Sequence, residues 1–343
     1  MIKKLISVLP VILPYFFGGG GKSLLISRLN RCIAAAERVH DITGEHVDLL
    51  FLEIVWNWYR YGCSEEDFLT MEFYRKNSRE KKRWLTSAKN NRYLYKTVYD
   101  DDARSVFDHK EFFDVRFKHM MKHDILILKD ATADKIRAFM AKYGEVIIKP
   151  ANGACGVGIR KLHHNDKEGV EQLLQEIASG KNLIMEQVII QHEDMAKINT
   201  SSVNTIRVIT MVDRKGDVHI INTLAKFGGS ASCISNTMGG GCCCHIDKET
   251  GIIDRPGKDI HGLSYFRHPV TGIILPGYQI PNWDGVCDYA RQLAQVVPNG
   301  RYIGWDIVIL EDGYDVIEGN LHPGQDFQGC DGIGRWEQIK QLI

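Results

Sequence analysis

An excess of charge of either sign is what this chain most clearly lacks. Its 43 Lys and Arg residues balance its 43 Asp and Glu residues, so the formal net charge at pH 7 is zero. Nucleic-acid binding rests on a basic surface that displaces counterions from phosphates. Beyond a local strip from Arg79 to Arg83, which reads as a solvated helix face, no such surface is legible. Long apolar runs are missing too. The stretch from Leu5 to Phe17 falls short of the roughly 20 residues that cross a bilayer, and Pro10 and Pro14 interrupt it. It follows Lys3 and Lys4 as a secretory signal core would, but no small-residue cleavage site is clear. The segment is expected to pack on its neighbours, with attachment to a membrane surface as the alternative.

The nine cysteines include no Cys-x-x-Cys pair. Cys242, Cys243 and Cys244 are consecutive, with His245 next. Adjacent strand residues alternate faces, so only Cys242 and Cys244 could share a ligand, and a zinc site is not expected. The scattered Cys32, Cys63, Cys155, Cys233, Cys287 and Cys330 form no disulfide framework and fit a reducing compartment. The P-loop is also missing, because the pattern that would end in Lys22-Ser23 needs its first glycine at Phe16. No internal repeat or low-complexity segment stands out.

What is present suits an enzyme. With 343 residues, 44% of them hydrophobic, the chain can bury a sizeable core in two or three domains. Near the C-terminus, GWDIVILEDGYDVIEGNLHPG (residues 304–324) holds two apolar strands, Trp305 to Leu310 and Tyr314 to Ile317, around Glu311-Asp312-Gly313. A three-residue loop with a left-handed glycine pairs Leu310 with Tyr314, and hence Asp306 with Glu318. Asp306, Glu318 and Asn320 then share one face, whereas a two-residue Asp-Gly turn would separate the acids. Opposed carboxylates repel unless a cation lies between them, and hard oxygens suit Mg2+. The same residues also read as a surface hairpin with its acids in water.

In EVIIKPANGACGVGIRKL (residues 145–162), a buried strand ends in Lys149, and a loop with Gly153, Gly156 and Gly158 leads to a short basic strand. Such glycines let amide groups turn toward an anion, and they equally make a plain hairpin turn. A lysine ending a buried strand is costly without an anionic partner. Arg207 interrupts the β-branched run NTIRVITMV, where its fork would hold a phosphate or a structural carboxylate. Lys226 follows another strand, HIINTLA.

The order of strand lysine, glycine loop, LIMEQVIIQHE, NTIRV, LAKFGG, SNTMGGG, GWDIVI and IEGNLHPG resembles the ATP-grasp superfamily, in particular its branch associated with sugar transfer and cell-surface polysaccharides. The resemblance covers about residues 106–335. It implies an α+β, ATP-grasp fold whose two α+β lobes clasp ATP, and an ATP- and Mg2+-dependent carboxylate-amine ligase working through an acyl-phosphate in the cytoplasm. The product would be a glycan precursor carrying an amino acid or similar group. Carboxylate and amine substrates would be the partners, with association at the inner membrane face or with a glycosyltransferase as a further expectation. The same clasp would also serve a kinase acting on a hydroxyl, or a non-catalytic nucleotide-binding partner of a glycosyltransferase.

By that resemblance Lys149 and Lys110 reach the nucleotide phosphates. Asn152, Gly153, Gly156 and Gly158 belong to a flexible lid, and Glu186, Gln187 and Val188 form the adenine hinge. Glu193 holds the ribose. Asp306, Glu318 and Asn320 correspond to magnesium ligands, Arg207 to the arginine near the transferred phosphate with Lys226 assisting, and Asn236, Gly239 and Gly240 to a substrate-side turn.

Ahead of this region, Leu24 to Thr43, Val47 to Tyr61 and Glu65 to Asn90 read as helical. A boundary is expected near residue 105, after Asp100-Asp101-Asp102, giving a helical region over 1–105, a first lobe over 106–190 with a helix at Asp166 to Ser179, and a second lobe over 191–343. The aromatic-rich segment from His261 to Trp283 suits either a sugar- or amino-acid-contacting loop or a packed surface excursion.

Overall fold

A computed structural model describes residues 22–129, 131–152, 157–229, 240–259 and 262–343. Four expected ligand contacts, Gly153, Gly156, Asn236 and Gly239, lie outside the described residues, as do Cys155 and the stretch from Leu5 to Phe17. No described helix is long and apolar enough to cross a membrane. The chain forms two compact units, one of Met1–Leu94 with Gln325–Gln338, the other of Tyr95–Gly324 with Ile339–Ile343.

The first unit is helical. Helix α1 (Lys22–Thr43) buries Leu29, Cys32, Ala36 and Val39, a spacing of three and four residues that makes one stripe. Helix α2 (Val47–Tyr61) answers with Leu50, Phe51 and Ile54, and stops at Gly62, whose φ of 65° is the left-handed turn that glycine takes without strain. The stretch from Glu65 to Asn90 is broken into short pieces, because Ser64 and Asn77 each restart a helix through a capping box. Phe51, Phe68, Phe73 and Trp84 fill the core.

The second unit contains both sheets. The first has strands in the order β1 (Ile125–Ile127), β4 (Leu183–Gln187), β2 (Glu145–Pro150) and β3 (Arg160–His163), all antiparallel. Val146, Ile148 and Met185 share a core with Ile136 and Met140 of helix α5 (Ala133–Tyr143) and Leu173 of helix α6 (Lys167–Ala178). Alternation therefore turns Ile147 and Lys149 to the opposite face, where Ile147 pairs with Glu186 and Lys149 with Ile184.

The second sheet is a seven-stranded antiparallel array in the order β11 (Gly313–Asn320), β10 (Tyr302–Leu310), β5 (Thr205–Val212), β6 (Val218–Phe227), β7 (Cys242–His245), β8 (Gly257–Lys258) and β9 (Ser264–Tyr265). Helix α7 (Trp283–Val296) packs against β5, β6 and β10. At the β11 edge, helices α3 (Asp101–Asp108) and α4 (Lys110–Phe117) bring Phe107, Phe113 and Phe117 around Trp305.

The hairpin corrects one step of the sequence reading. Its turn has two residues, with Leu310 opposite Gly313 and Ile309 opposite Tyr314. A bulge at Ile317 then adds one residue to β11, so that Asp306 faces Glu318 as expected. The segment after His261 packs into the unit: buried His268 hydrogen-bonds through Nε2 to the Gly228 carbonyl at 2.9 Å, and the Tyr278 hydroxyl donates to the Asp194 carbonyl at 2.6 Å.

Candidate functional site

Cross-strand register builds the first half of the site. Arg207 on β5 lies opposite Asp306 on β10, which lies opposite Glu318 on β11, and Asn320 follows two residues later on the same face. Arg207 donates from Nε and Nη2 to the two Asp306 oxygens at 2.6 and 2.9 Å, and from Nη1 to the Pro323 carbonyl at 2.9 Å. Lys226 Nζ adds a bond to Asp306 Oδ2 at 2.9 Å. Burial opposes the charge on Asp306, but Arg207 and Lys226 outweigh it and hold the carboxyl well below the usual range. Asn320 Nδ2 reaches Glu318 Oε1 at 3.2 Å. The same face continues across the sheet to Cys243, paired with Lys226, and then to Lys258.

The second half lies on the first sheet. Lys149 and Glu186, 4% and 7% exposed, form an ion pair. Burial works against the ammonium, yet Glu186 and Asp114 raise the Lys149 pKa. His123 bridges the two sheets: its Nδ1 lies 2.8 Å from Asp315 on β11, and its Nε2 lies 4.0 Å from Glu186 on β4. Burial lowers its basicity, but the hydrogen bond to Asp315 and the charge of Glu186 raise it further. Helix α4 presents Lys110 and Asp114, one turn apart, to this cluster while Phe113 and Phe117 anchor it below. Burial lowers the Lys110 pKa, partly offset by Glu318. Asp114 is pushed up to about 7, chiefly by burial.

Glu318 ties the halves together. It acts through space on Lys110 and Lys149 from one side and on Arg207 from the other. Lys110, Lys149, Glu186, Arg207, Lys226, Asp306, Glu318 and Asn320 thus converge. Asp306, Glu318 and Asn320 supply hard oxygens on one face, and Asp306 is held ionised, so the donor chemistry fits Mg2+.

The remaining expected residues sit elsewhere on the same framework. Asn152 follows β2, and Gly158 has a φ of 80° with Pro150 so close that a Cβ would meet it at 2.9 Å. Gln187 accepts from the Asp124 amide, and Val188 follows β4. Glu193 is exposed at a helix start, 3.6 Å from Lys197. Gly240 precedes β7 with a φ of 85°. Sequence reading missed Asp114, His123 and Asp315, which no motif marks. The i, i+4 spacing of Lys110 and Asp114 beside the Phe113 and Phe117 stripe was the available signal. A separate groove of about 620 Å³ lies at the hairpin tip, lined by residues including Gln279, Asn282, Asp284, Glu311 and Tyr314.

A profile of the sugar-transfer associated ATP-grasp family matches residues 88–341. Among solved structures, the ATP-grasp ligase PsnB complexed with minimal precursor, Mg and ADP is 20% identical over 72% of this chain and 61% of its own, with a TM-score of 0.40. Biotin carboxylase from Campylobacter jejuni is 15% identical over 70% of this chain and 47% of its own, with a TM-score of 0.46. D-alanyl-alanine synthetase A from Vibrio cholerae is 10% identical over 64% and 56%, with a TM-score of 0.39. The chain spans about three fifths of the length of PsnB. None of the curated proteins matches.

Proposed function

The chain belongs to the sugar-transfer associated ATP-grasp family, and from that premise we propose that it is an ATP- and Mg2+-dependent carboxylate-amine ligase. Its product would be an amide on a cell-surface glycan precursor, formed on the cytoplasmic side. The observation that carries this reading is the reach of Glu318 to Lys110, Lys149 and Arg207, which sets three cationic side chains around one space.

Both reactants of the first step are anionic, a carboxylate and the γ-phosphoryl group, so the site must supply positive charge and hold them in line. Lys149 and Lys110 would bind the nucleotide phosphates, and Arg207 and Lys226 would neutralise charge on the transferred group. Asp306, Glu318 and Asn320 would hold Mg2+, which when bound supplies further charge neutralisation and a template for the phosphates. The carboxylate oxygen attacks the γ-phosphorus and ADP leaves; an amine then attacks the acyl-phosphate carbonyl and phosphate leaves. Excluding water protects the intermediate, and the lid around Asn152 and Gly158 would serve that end.

The test is ADP release from Mg-ATP with a panel of amino acids and uronic acids, with hydroxylamine present. A hydroxamate from one acid supports the ligase and identifies its substrate. ADP release that depends on a hydroxyl compound, without hydroxamate, replaces it with a kinase.

A further inference from the structure

Among the described residues, Asp114 has both carboxyl oxygens buried and accepting no hydrogen bond. It is 4% exposed on helix α4, which is anchored without its help by Phe113 and Phe117 against Phe107 and Trp305. A buried polar group left unpartnered destabilises a fold, and an apolar residue would serve packing better. Its charged neighbours differ in this respect. Lys149 is paired with Glu186, and His123 with Asp315. The groups that act on Asp114 through space are Lys149, Glu186, His123 and Lys110. Three of these four, Lys149, Glu186 and Lys110, are residues assigned above to the nucleotide.

We propose that Asp114 is a nucleotide-binding residue whose carboxyl accepts a hydrogen bond from the exocyclic amino group of the purine. This rests on the reading of the site as an ATP site. A buried acceptor with no donor of its own matches the amino group of the base, which offers two N–H donors. Glu186 begins the segment read as lying along the base, which puts Asp114 at that end of the nucleotide. With Asp114 pushed up to about 7, its protonated and ionised forms coexist near neutrality, and both offer a lone pair to an amino hydrogen. Asp114, Lys149 and Glu186 are all buried, so the nucleotide reaches Asp114 only when the side chains covering this cluster shift.

The test is calorimetric binding of ATP and of purine riboside triphosphate, which lacks the amino group, to the full chain and to D114A and D114N. The wild type is expected to prefer ATP by about 10-fold. D114A is expected to reduce that preference to about 2-fold or less without lowering Tm, whereas D114N, whose amide oxygen still accepts, keeps it. An unchanged preference in D114A overturns the proposal while leaving the ATP site standing. So does an equal loss of both nucleotides together with a lowered Tm, the mark of a structural role. A wild type that binds ATP without preferring it also overturns the proposal alone, and one that binds neither nucleotide overturns this proposal and the ATP site together.

Discussion

Asp306 and Asp114 are both buried carboxylates of the same unit, 3% and 4% exposed, yet they are satisfied in opposite ways. Asp306 receives the Arg207 fork and Lys226, so each of its oxygens accepts from a cation. Asp114 accepts nothing. The second sheet has built its ion cluster from neighbouring strands, where pairing register fixes each partner. The first sheet borrows part of its cluster from a helix, and one group is left over. A site assembled for its own stability would resemble the first arrangement throughout; the leftover acid is the one that points to a ligand.

The contrast can be broken at its strongest point through Glu318, which faces both clusters. Glu318→Gln is expected to cut ATP consumption by about 1,000-fold or more while circular dichroism and Tm stay near wild type; unfolding of the variant would make Glu318 a structural residue. Next is Arg207→Met, which leaves Asp306 buried with only Lys226. It is expected to cost about 3–5 kcal/mol, read from denaturant midpoints. A loss below about 1 kcal/mol would mean that the cluster is not the self-satisfied one.

The two acids also differ in pH sign. Asp306 lies below the ordinary carboxylate range, so its contribution is present above its unfolded pKa and is lost only in strong acid. Asp114 lies near 7, above its ordinary 3.8, so the native state binds the extra proton between those values. Stability is therefore greatest below about pH 4 on its account and declines as pH rises through about 7. His123, also raised, extends the decline above its ordinary 6.5. The decline from pH 4 to 7 is expected to shrink in Asp114→Asn by on the order of 2 kcal/mol, measured as denaturant midpoints at each pH. The smallest effect belongs to a pair outside both clusters. Lys197→Ala removes an exposed partner of Asp194 and is expected to leave the denaturant midpoint unchanged.

Strand periodicity made much of this legible. Lys149, Arg207, Lys226 and Asp306 are charged residues in otherwise apolar strands, and alternation alone puts each on a definable face. The helices α1 and α2 followed from apolar spacing, and α6 from its amphipathic pattern. What stayed hidden depends on contacts distant in sequence. Asp315 meets His123 across 192 residues, and nothing local to either announces it. The return of Gln325–Gln338 to the helical unit is equally silent, since the hydrogen bonds of Gln328 to Leu85 join residues 243 apart. Asp114 showed only through its i, i+4 spacing from Lys110 beside the Phe113 and Phe117 stripe, and its neighbours Lys149 and Glu186 are distant in sequence.

The hairpin shows one more consequence of the Ile317 bulge. A three-residue turn without a bulge and a two-residue turn with one contain the same number of residues between Asp306 and Glu318, and both bring the two acids face to face. A tip of either form would thus agree at Asp306 and Glu318, and this chain takes the bulged one. Mutational drift in Glu311, Asp312 or Gly313 can move slack between turn and bulge, and the phase of Glu318 survives the exchange.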